Sequence, residues 1–298
     1  MTNKNGVIAV TAAYILWGFL PIYWKSVQTV PALELLCHRM AWSFVFVTLL
    51  LAVKRQWGWL RRARENPAAL LRFLLTACFL TFNWFTYVWA MKADRIVDAS
   101  LGYFINPLFS VLLGVFFLKE RLRLWQWVAV GTAAGGLIFL TLGYGAFPWL
   151  SFALAVSFGF YGLLRKTASF GALEGLMVET TILFLPALSY LVYRELAGGA
   201  SFGHAGAATN ILLVLAGVVT ALPLFWFAYG ARRVELSTVG ILQYIAPTLQ
   251  FLLGVLVYGE SFAKARLIGF GVIWLGIVIY SVEGVVQGRK RATRQGVS

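Results

Sequence analysis

Ten stretches of apolar residues, each about as long as a membrane-crossing helix, follow one another along the chain with short polar connectors between them. Bounded by charges, proline and glycine, they fall near residues 6–24, 33–53, 70–91, 97–118, 124–142, 147–164, 173–192, 211–230, 237–257 and 265–286. A helix needs roughly 20 mostly apolar residues to cross the hydrocarbon core of a bilayer, and a chain in lipid must satisfy its backbone internally. The pattern therefore predicts an all-α integral membrane protein of ten transmembrane helices. The first stretch follows a polar tip with one lysine and is longer than the ~7–15 residues of a signal-peptide core, so it is expected to be the first span.

The spans also repeat. Ala32-Leu33-Glu34-Leu35-Leu36 recurs as Ala172-Leu173-Glu174-Gly175-Leu176, at an offset of about 140 residues. At the same offset Pro107, Gly114 and Glu120 meet Pro247, Gly254 and Glu260, and Gly131 and Gly136 meet Gly271 and Gly276. With a slip of a residue or two, Trp17-Gly18-Phe19 pairs with Phe158-Gly159-Phe160, and Trp84-Phe85-Thr86-Tyr87 with Trp226-Phe227-Ala228-Tyr229. Five spans per unit is an odd number, so the second unit enters the membrane from the side opposite to the first. The expectation is one five-helix unit over 1–145 and an inverted one over 146–298, related by a pseudo-twofold axis in the membrane plane, a common build of secondary transporters. Gly131-x-x-x-Gly135 reads as a close helix contact.

Composition agrees and removes other classes. Hydrophobic residues make up 60% of the 298 and charged residues 12%, against about 25% charged in a soluble domain. The net charge of +14 sits in connectors, so it orients the chain rather than marking a nucleic-acid footprint. Eighteen of the 25 Lys and Arg fall on one side of the alternating spans: Lys4, the 54–72 cluster, Lys119, Arg121, Arg123, Arg165, Lys166, Arg232, Arg233 and the 289–294 cluster. That bias places both termini in the cytoplasm. Cys37 and Cys78 read as buried free thiols. The sequence holds no H-E-x-x-H, G-x-S-x-G, phosphate loop or dinucleotide fingerprint, and its only histidines are His38 and His204. No metal, cofactor or enzymatic activity is expected. Thr141-Leu142-Gly143-Tyr144-Gly145 imitates a potassium-channel filter, but it ends a span with no re-entrant helix before it and reads as a turn.

Ionisable groups inside a bilayer are costly and mark function by default. The second span carries Glu34, His38 and Arg39, with Glu34 and His38 on one helical face. Asp98, at the start of the fourth span, lies at a similar level and is placed to neutralise Arg39. Glu179 occupies the repeat position of Arg39, has no basic neighbour in its own span, and is the first candidate for a proton-binding group. These five are the expected coupling or gating residues. Spans four and nine hold Tyr103, Asn106 and Pro107, and Gln243, Tyr244, Pro247 and Gln250. A proline bends a helix and frees a carbonyl, so Pro107 and Pro247 are expected hinges. The candidate substrate contacts are Trp17, Asn83, Trp84, Tyr87, Tyr103, Asn106, Tyr161, Trp226, Gln243 and Tyr244, in a cavity walled by spans 1, 3, 4, 6, 8 and 9. Aromatic rings with a few amides suit a neutral, zwitterionic or aromatic organic solute better than a metal ion or phosphate.

These residues resemble the drug/metabolite transporter superfamily, its EamA branch, and within it the RarD-type permeases associated with chloramphenicol sensitivity. The resemblance covers essentially the whole chain. It runs through Trp17-Gly18, His38-Arg39-x-x-Trp42-Ser43, Asn83-Trp84, Ser100-Leu101-Gly102-Tyr103-Phe104-Ile105-Asn106-Pro107, Phe160-Tyr161-Gly162, Glu179-Thr180, Gln243-Tyr244-Ile245 and Pro247-Thr248-Leu249. Generic members read L-G-E-R after the fourth span, where this chain has Leu118-Lys119-Glu120-Arg121. The resemblance implies an inner-membrane permease that exports small organic molecules, such as amino acids, metabolites or amphipathic drugs, without ATP and by alternating access. Its expected partners are membrane lipid, the organic substrate and protons, and its expected state is a monomer. A dedicated amino-acid exporter and a passive facilitator are the alternatives.

Overall fold

The computed structural model describes residues 3–92, 96–142, 148–259 and 264–295. The boundary at residue 145, Gly143 to Gly145 of the filter-like string, Glu260 and the side chain of Asp98 lie outside the described residues, and so does the expected pairing of Asp98 with Arg39. The described elements are helices: α1 (Lys4–Ser26), α2 (Ala32–Val53), α3 (Gly58–Glu65), α4 (Pro67–Lys92), α5 (Ile96–Leu118), α6 (Leu124–Leu142), α7 (Trp149–Thr167), α8 (Ala172–Leu196), α9 (Ala207–Ala231), α10 (Leu236–Gln243), α11 (Ile245–Leu252) and α12 (Lys264–Gln295). Among the described residues nine stretches are long and apolar enough to cross a membrane, with Leu236–Val257 counted as one. The tenth span is α7, which carries Arg165 and Lys166 in its last turn. The chain is an all-helical membrane protein with two inverted five-helix repeats.

Two features depart from the expected rods. The connector after α2 folds into α3, which buries Trp59 and Ala63 and turns an Arg61–Glu65 pair to the outside at 2.8 Å. The ninth span is broken into α10, α11 and a π-helical turn over Leu253–Val257. Pro247 has no N–H to offer the Gln243 carbonyl, and the helix parts at Tyr244, one turn before it. Pro107, by contrast, lies inside an uninterrupted α5.

Packing obeys the repeat. α1 lies against α9, α10 and α11, and its counterpart α7 lies against α4 and α5. Across the pseudo-twofold axis α2 meets α8, α5 meets α10, and α6 meets α12. Two close approaches use repeat-related glycines. A Cβ on Gly18 would stand 2.7 Å from the Leu249 side chain, and one on Gly159 would stand 2.5 Å from Phe109.

The α6–α12 pair corrects one expectation. A Cβ added to Gly131 or Gly135 would meet nothing within 4 Å, and both glycines face away from the protein. The tight contact lies on the other side of the helix, where a Cβ on Gly136 would meet the Gly269 carbonyl at 2.9 Å and one on Gly276 the Ala129 carbonyl at 2.7 Å. Spacing alone does not reveal which face of a helix has a partner. Gly276→Leu is therefore expected to part α6 from α12 at a cost of about 1–3 kcal/mol or more, while Gly131→Leu stays within about 0.5 kcal/mol of neutral. Melting temperatures of the two variants in one detergent decide this. Cys37 is buried as expected, but Cys78 is exposed on α4.

Candidate functional site

Between the two units lies a cavity of about 400 Å³. Its walls come from α1, α2, α4, α5, α7, α9, α10 and α11, and it runs up to Val27, Gln28 and Val30 of the α1–α2 loop. α2 thus belongs to the wall, which the expected set of spans left out. Of the ten candidate contacts, Trp17, Asn83, Trp84, Tyr87, Tyr103, Asn106 and Gln243 line the cavity, and so do Arg39 and Pro247.

Three candidates lie elsewhere. Tyr161 is fully buried beneath the wall, stacked on Phe227 with centroids 5.9 Å apart, and its hydroxyl donates to Glu179 Oε2 at 3.5 Å. Tyr244 turns away to donate to the Phe104 carbonyl at 3.3 Å. Trp226 packs against the main apolar core. In helices surrounded on every side by protein or lipid, period alone does not identify the face that meets a cavity.

Several wall residues carry identifiable tasks. Pro21 leaves the Trp17 carbonyl without its intrahelical donor, and Gln250 Nε2 supplies one at 3.1 Å. Asn83 Nδ2 donates to the Leu154 carbonyl at 2.9 Å and to Ser157 Oγ at 3.0 Å, which joins α4 to α7. Asn106 Oδ1 accepts from Ser110 Oγ at 3.5 Å. Gln243 is 6% exposed and its Oε1 has no hydrogen-bond partner. Arg39 Nε donates to Thr220 Oγ1 at 3.0 Å, and its guanidinium lies 4.7 Å from the Trp24 ring and 4.6 Å from the Trp84 ring. Sequence reasoning missed Trp24, Phe158, Thr220 and Leu224 as wall residues. Pro21 within the first span and the hydroxyl of Thr220 within the eighth are the signals that point to them.

Glu34, His38 and Glu179, the other candidate charges among the described residues, sit in two buried clusters off the cavity. Glu34 is 0% exposed; it accepts from Ser201 N at 2.6 Å and Ser201 Oγ at 3.2 Å, and Arg194 and His38 stand 3.5 and 3.9 Å away. It thereby ties α2 to the end of α8 and the loop beyond. His38 packs on Phe202 with both ring nitrogens lacking a hydrogen bond. Glu179 pairs with Arg165 at 3.7 Å, each 1% exposed. Arg165 is therefore an interior residue rather than the surface orientation charge suggested by its place at a span end beside Lys166. A second void of about 10 Å³, lined by Trp84, Thr220 and Leu224 of the cavity wall and by Glu179, has room for about one water.

Opposite the α1–α2 loop, on the face that carries the chain termini, Glu120 joins the two units and basic residues tie the second unit to itself. Glu120 accepts from the backbone N–H groups of Leu236 at 2.5 Å and Ser237 at 2.9 Å, which fixes the first turn of α10. Lys166 donates to the Ala231 carbonyl at 3.1 Å and also to that of Val234. Arg232 donates to the Phe170 carbonyl at 2.6 Å and to that of Ala168. Lys119 has φ 55, in the left-handed region that glycine adopts freely. That turn returns Glu120 N to the Gly114 carbonyl at 3.0 Å and aims its carboxylate at α10. Among the described residues no three His, Cys, Asp or Glu side chains come together to hold a metal.

The model of the EamA-like transporter family matches twice, over residues 4–142 and 147–282. The chain is 43% identical to Protein RarD of Streptomyces exfoliatus over 98% of this chain and 93% of that protein. It is 45% identical to the uncharacterized transporter YojE of Bacillus subtilis, over 95% of each. A solved crystal structure superposes with a TM-score of 0.71 at 18% identity, covering 95% of this chain and 99% of the other, and shares the fold.

Proposed function

Because the chain belongs to the EamA-like transporter family, we propose that it is a secondary exporter of small organic solutes, working by alternating access in the bacterial inner membrane with both termini in the cytoplasm. One observation carries this reading. The cavity between the repeats extends to the α1–α2 loop, while at the termini face beneath it Glu120 of the first repeat is bonded to the first turn of α10 in the second and Gly6 of α1 packs closely on Gly230 and Val234. A pore needs both ends passable at once, whereas a central site shut on one side suits a carrier whose halves exchange conformations. With the Lys and Arg bias setting orientation, this is the state whose cavity faces outward. Protons are the proposed coupling ion and Glu179 their carrier. A small void bordered by Trp84, Thr220 and Leu224 of the cavity wall reaches Glu179 and brings it close to the cavity.

The test is uptake of labelled amino acids and of chloramphenicol into liposomes holding the purified protein, with and without an imposed pH gradient, beside empty liposomes. Saturable uptake that the gradient accelerates is expected. Asn106→Leu or Gln243→Leu should raise the half-saturation concentration about tenfold, the effect of about one lost hydrogen bond. Unsaturable flux that runs down the gradient would replace the carrier with a passive facilitator. Saturable uptake confined to amino acids would narrow the reading to a dedicated amino-acid exporter. No uptake of any of them by folded protein would remove this substrate class.

A further inference from the structure

Arg39 is the one charged side chain among the described residues that line the cavity. Among the described residues it is surrounded by the indoles of Trp24 and Trp84, the Thr220 hydroxyl and the phenols of Tyr23, Tyr87 and Tyr103. Nε is engaged by Thr220 Oγ1, the cation lies over Trp24 and Trp84, and among the described residues it forms no ion pair. A guanidinium carries five N–H donors in a planar fork, so the bond to Thr220 leaves most of that capacity unspent. An intramembrane cation in an apolar wall is costly unless something anionic meets it.

We propose that Arg39 is the anion anchor of the solute, and that the cavity takes monocarboxylates with an apolar or aromatic body. Four features of the wall converge on this chemistry. The lone fork matches one carboxylate in two parallel hydrogen bonds. A phosphate dianion would want a second cation, and no other lines the cavity among the described residues. The rings of Trp17, Tyr87, Tyr103 and Phe158 supply apolar surface for the body. Gln243 Oε1, buried and without a partner, offers an acceptor to an N–H or O–H elsewhere on the solute. A hydroxy or amide group on the carboxylate would fill that position, whereas the cavity presents no described carboxylate to an ammonium. The complex of Arg39 with a monoanion is neutral, which lowers the cost of carrying the charge through the membrane interior. The inference rests on the transporter reading for its claim that the anchored solute is the one carried.

Titration calorimetry on the purified full-length protein in lipid nanodiscs tests it, with aryl and alkyl monocarboxylates from benzoate to 4-phenylbutanoate and their matched amides. The carboxylates are expected to bind about 10- to 100-fold more tightly than the amides, the range for the two charge-assisted hydrogen bonds of the fork against neutral ones. Arg39→Gln should erase the difference by weakening the carboxylates alone, and Arg39→Lys, which keeps the charge, should retain part of it. Equal binding of acid and amide to the unaltered protein, no binding of any carboxylate, or a preference that survives Arg39→Gln would each overturn the proposal. Should Arg39→Gln fail to fold, the acid–amide comparison and Arg39→Lys carry the test. Flux in liposomes separates the two readings. Carboxylates that bind but never cross leave the anchor standing and remove the transporter reading for them. Amides that cross while carboxylates do not sink the anchor and leave the carrier.

Discussion

Glu179→Leu is expected to cost about 3–5 kcal/mol of stability, because it leaves the Arg165 guanidinium buried without its carboxylate. Both side chains are 1% exposed, and Arg165 keeps only the bond from Nη2 to the Ala172 carbonyl at 2.8 Å. Its Nε and Nη1 have no hydrogen-bond partner even with Glu179 present. The double replacement Glu179→Leu/Arg165→Leu should recover most of the loss, since replacing a whole buried pair by apolar residues is often neutral or stabilising. Denaturant unfolding of the single and double variants in one detergent measures the coupling, and additive losses would show that the two groups do not act as a pair. Glu179→Gln, which also removes the charge opposite Arg165 but keeps an amide oxygen there, tests the proposed coupling in folded protein. It preserves the acceptor for the Tyr161 hydroxyl but cannot bind and release a proton as a carboxylate does. Its uptake should no longer respond to a pH gradient. A response equal to that of the unaltered protein would clear Glu179 of proton carriage.

The ease of reading the fold and the difficulty of reading the site have one physical origin. Lipid imposes length and apolarity on every span, so ten spans, and Gly18 and Gly159 at matching places in the repeat, are visible in the chain. Lipid imposes no polar face on those helices, so the rotation of each about its axis leaves little trace. Asn83 and Tyr103 on the cavity and Tyr161 and Tyr244 behind it read alike in the sequence, and only the neighbouring helices separate them. Arg165 is hard to place for a related reason. A basic pair at a span end reads as an interface signal, while its partner Glu179 arrives from the following helix. Arg39 is visible as an intramembrane charge, but its seat between Trp24 and Trp84 depends on α1 and α4 meeting α2 at the cavity. The departure at Lys119 is legible as a sequence difference, and its consequence, a left-handed turn without glycine, emerges only in the backbone.

That turn leads to the second large effect, on the balance between the two conformations. Glu120 joins the end of α5 to the first turn of α10 through two backbone N–H groups, and such bonds to a charged group contribute about 1.5–3 kcal/mol. Glu120→Ala removes them on the termini face only, because the Glu34 cluster lies at the opposite end of the bundle. The closed state of that face should lose population by about 10- to 100-fold relative to the open one. Val10, 0% exposed in the seam between α1 and α9, is a suitable reporter. In protein with Cys37 and Cys78 replaced by Ala, Val10→Cys should react slowly with a maleimide offered from the termini side. Adding Glu120→Ala should speed it at least about tenfold, with Glu120→Gln between the two. Lys119→Gly should leave the labelling slow and raise the melting temperature, since glycine relieves the roughly 1–2 kcal/mol that a left-handed conformation costs other residues. The carbonyl contacts of Lys166 and Arg232 lie wholly within the second repeat and do not hold the seam. Labelling unchanged by Glu120→Ala would therefore mean that the link between the repeats at this face is the packing of Gly6 and Gly230 rather than a charge.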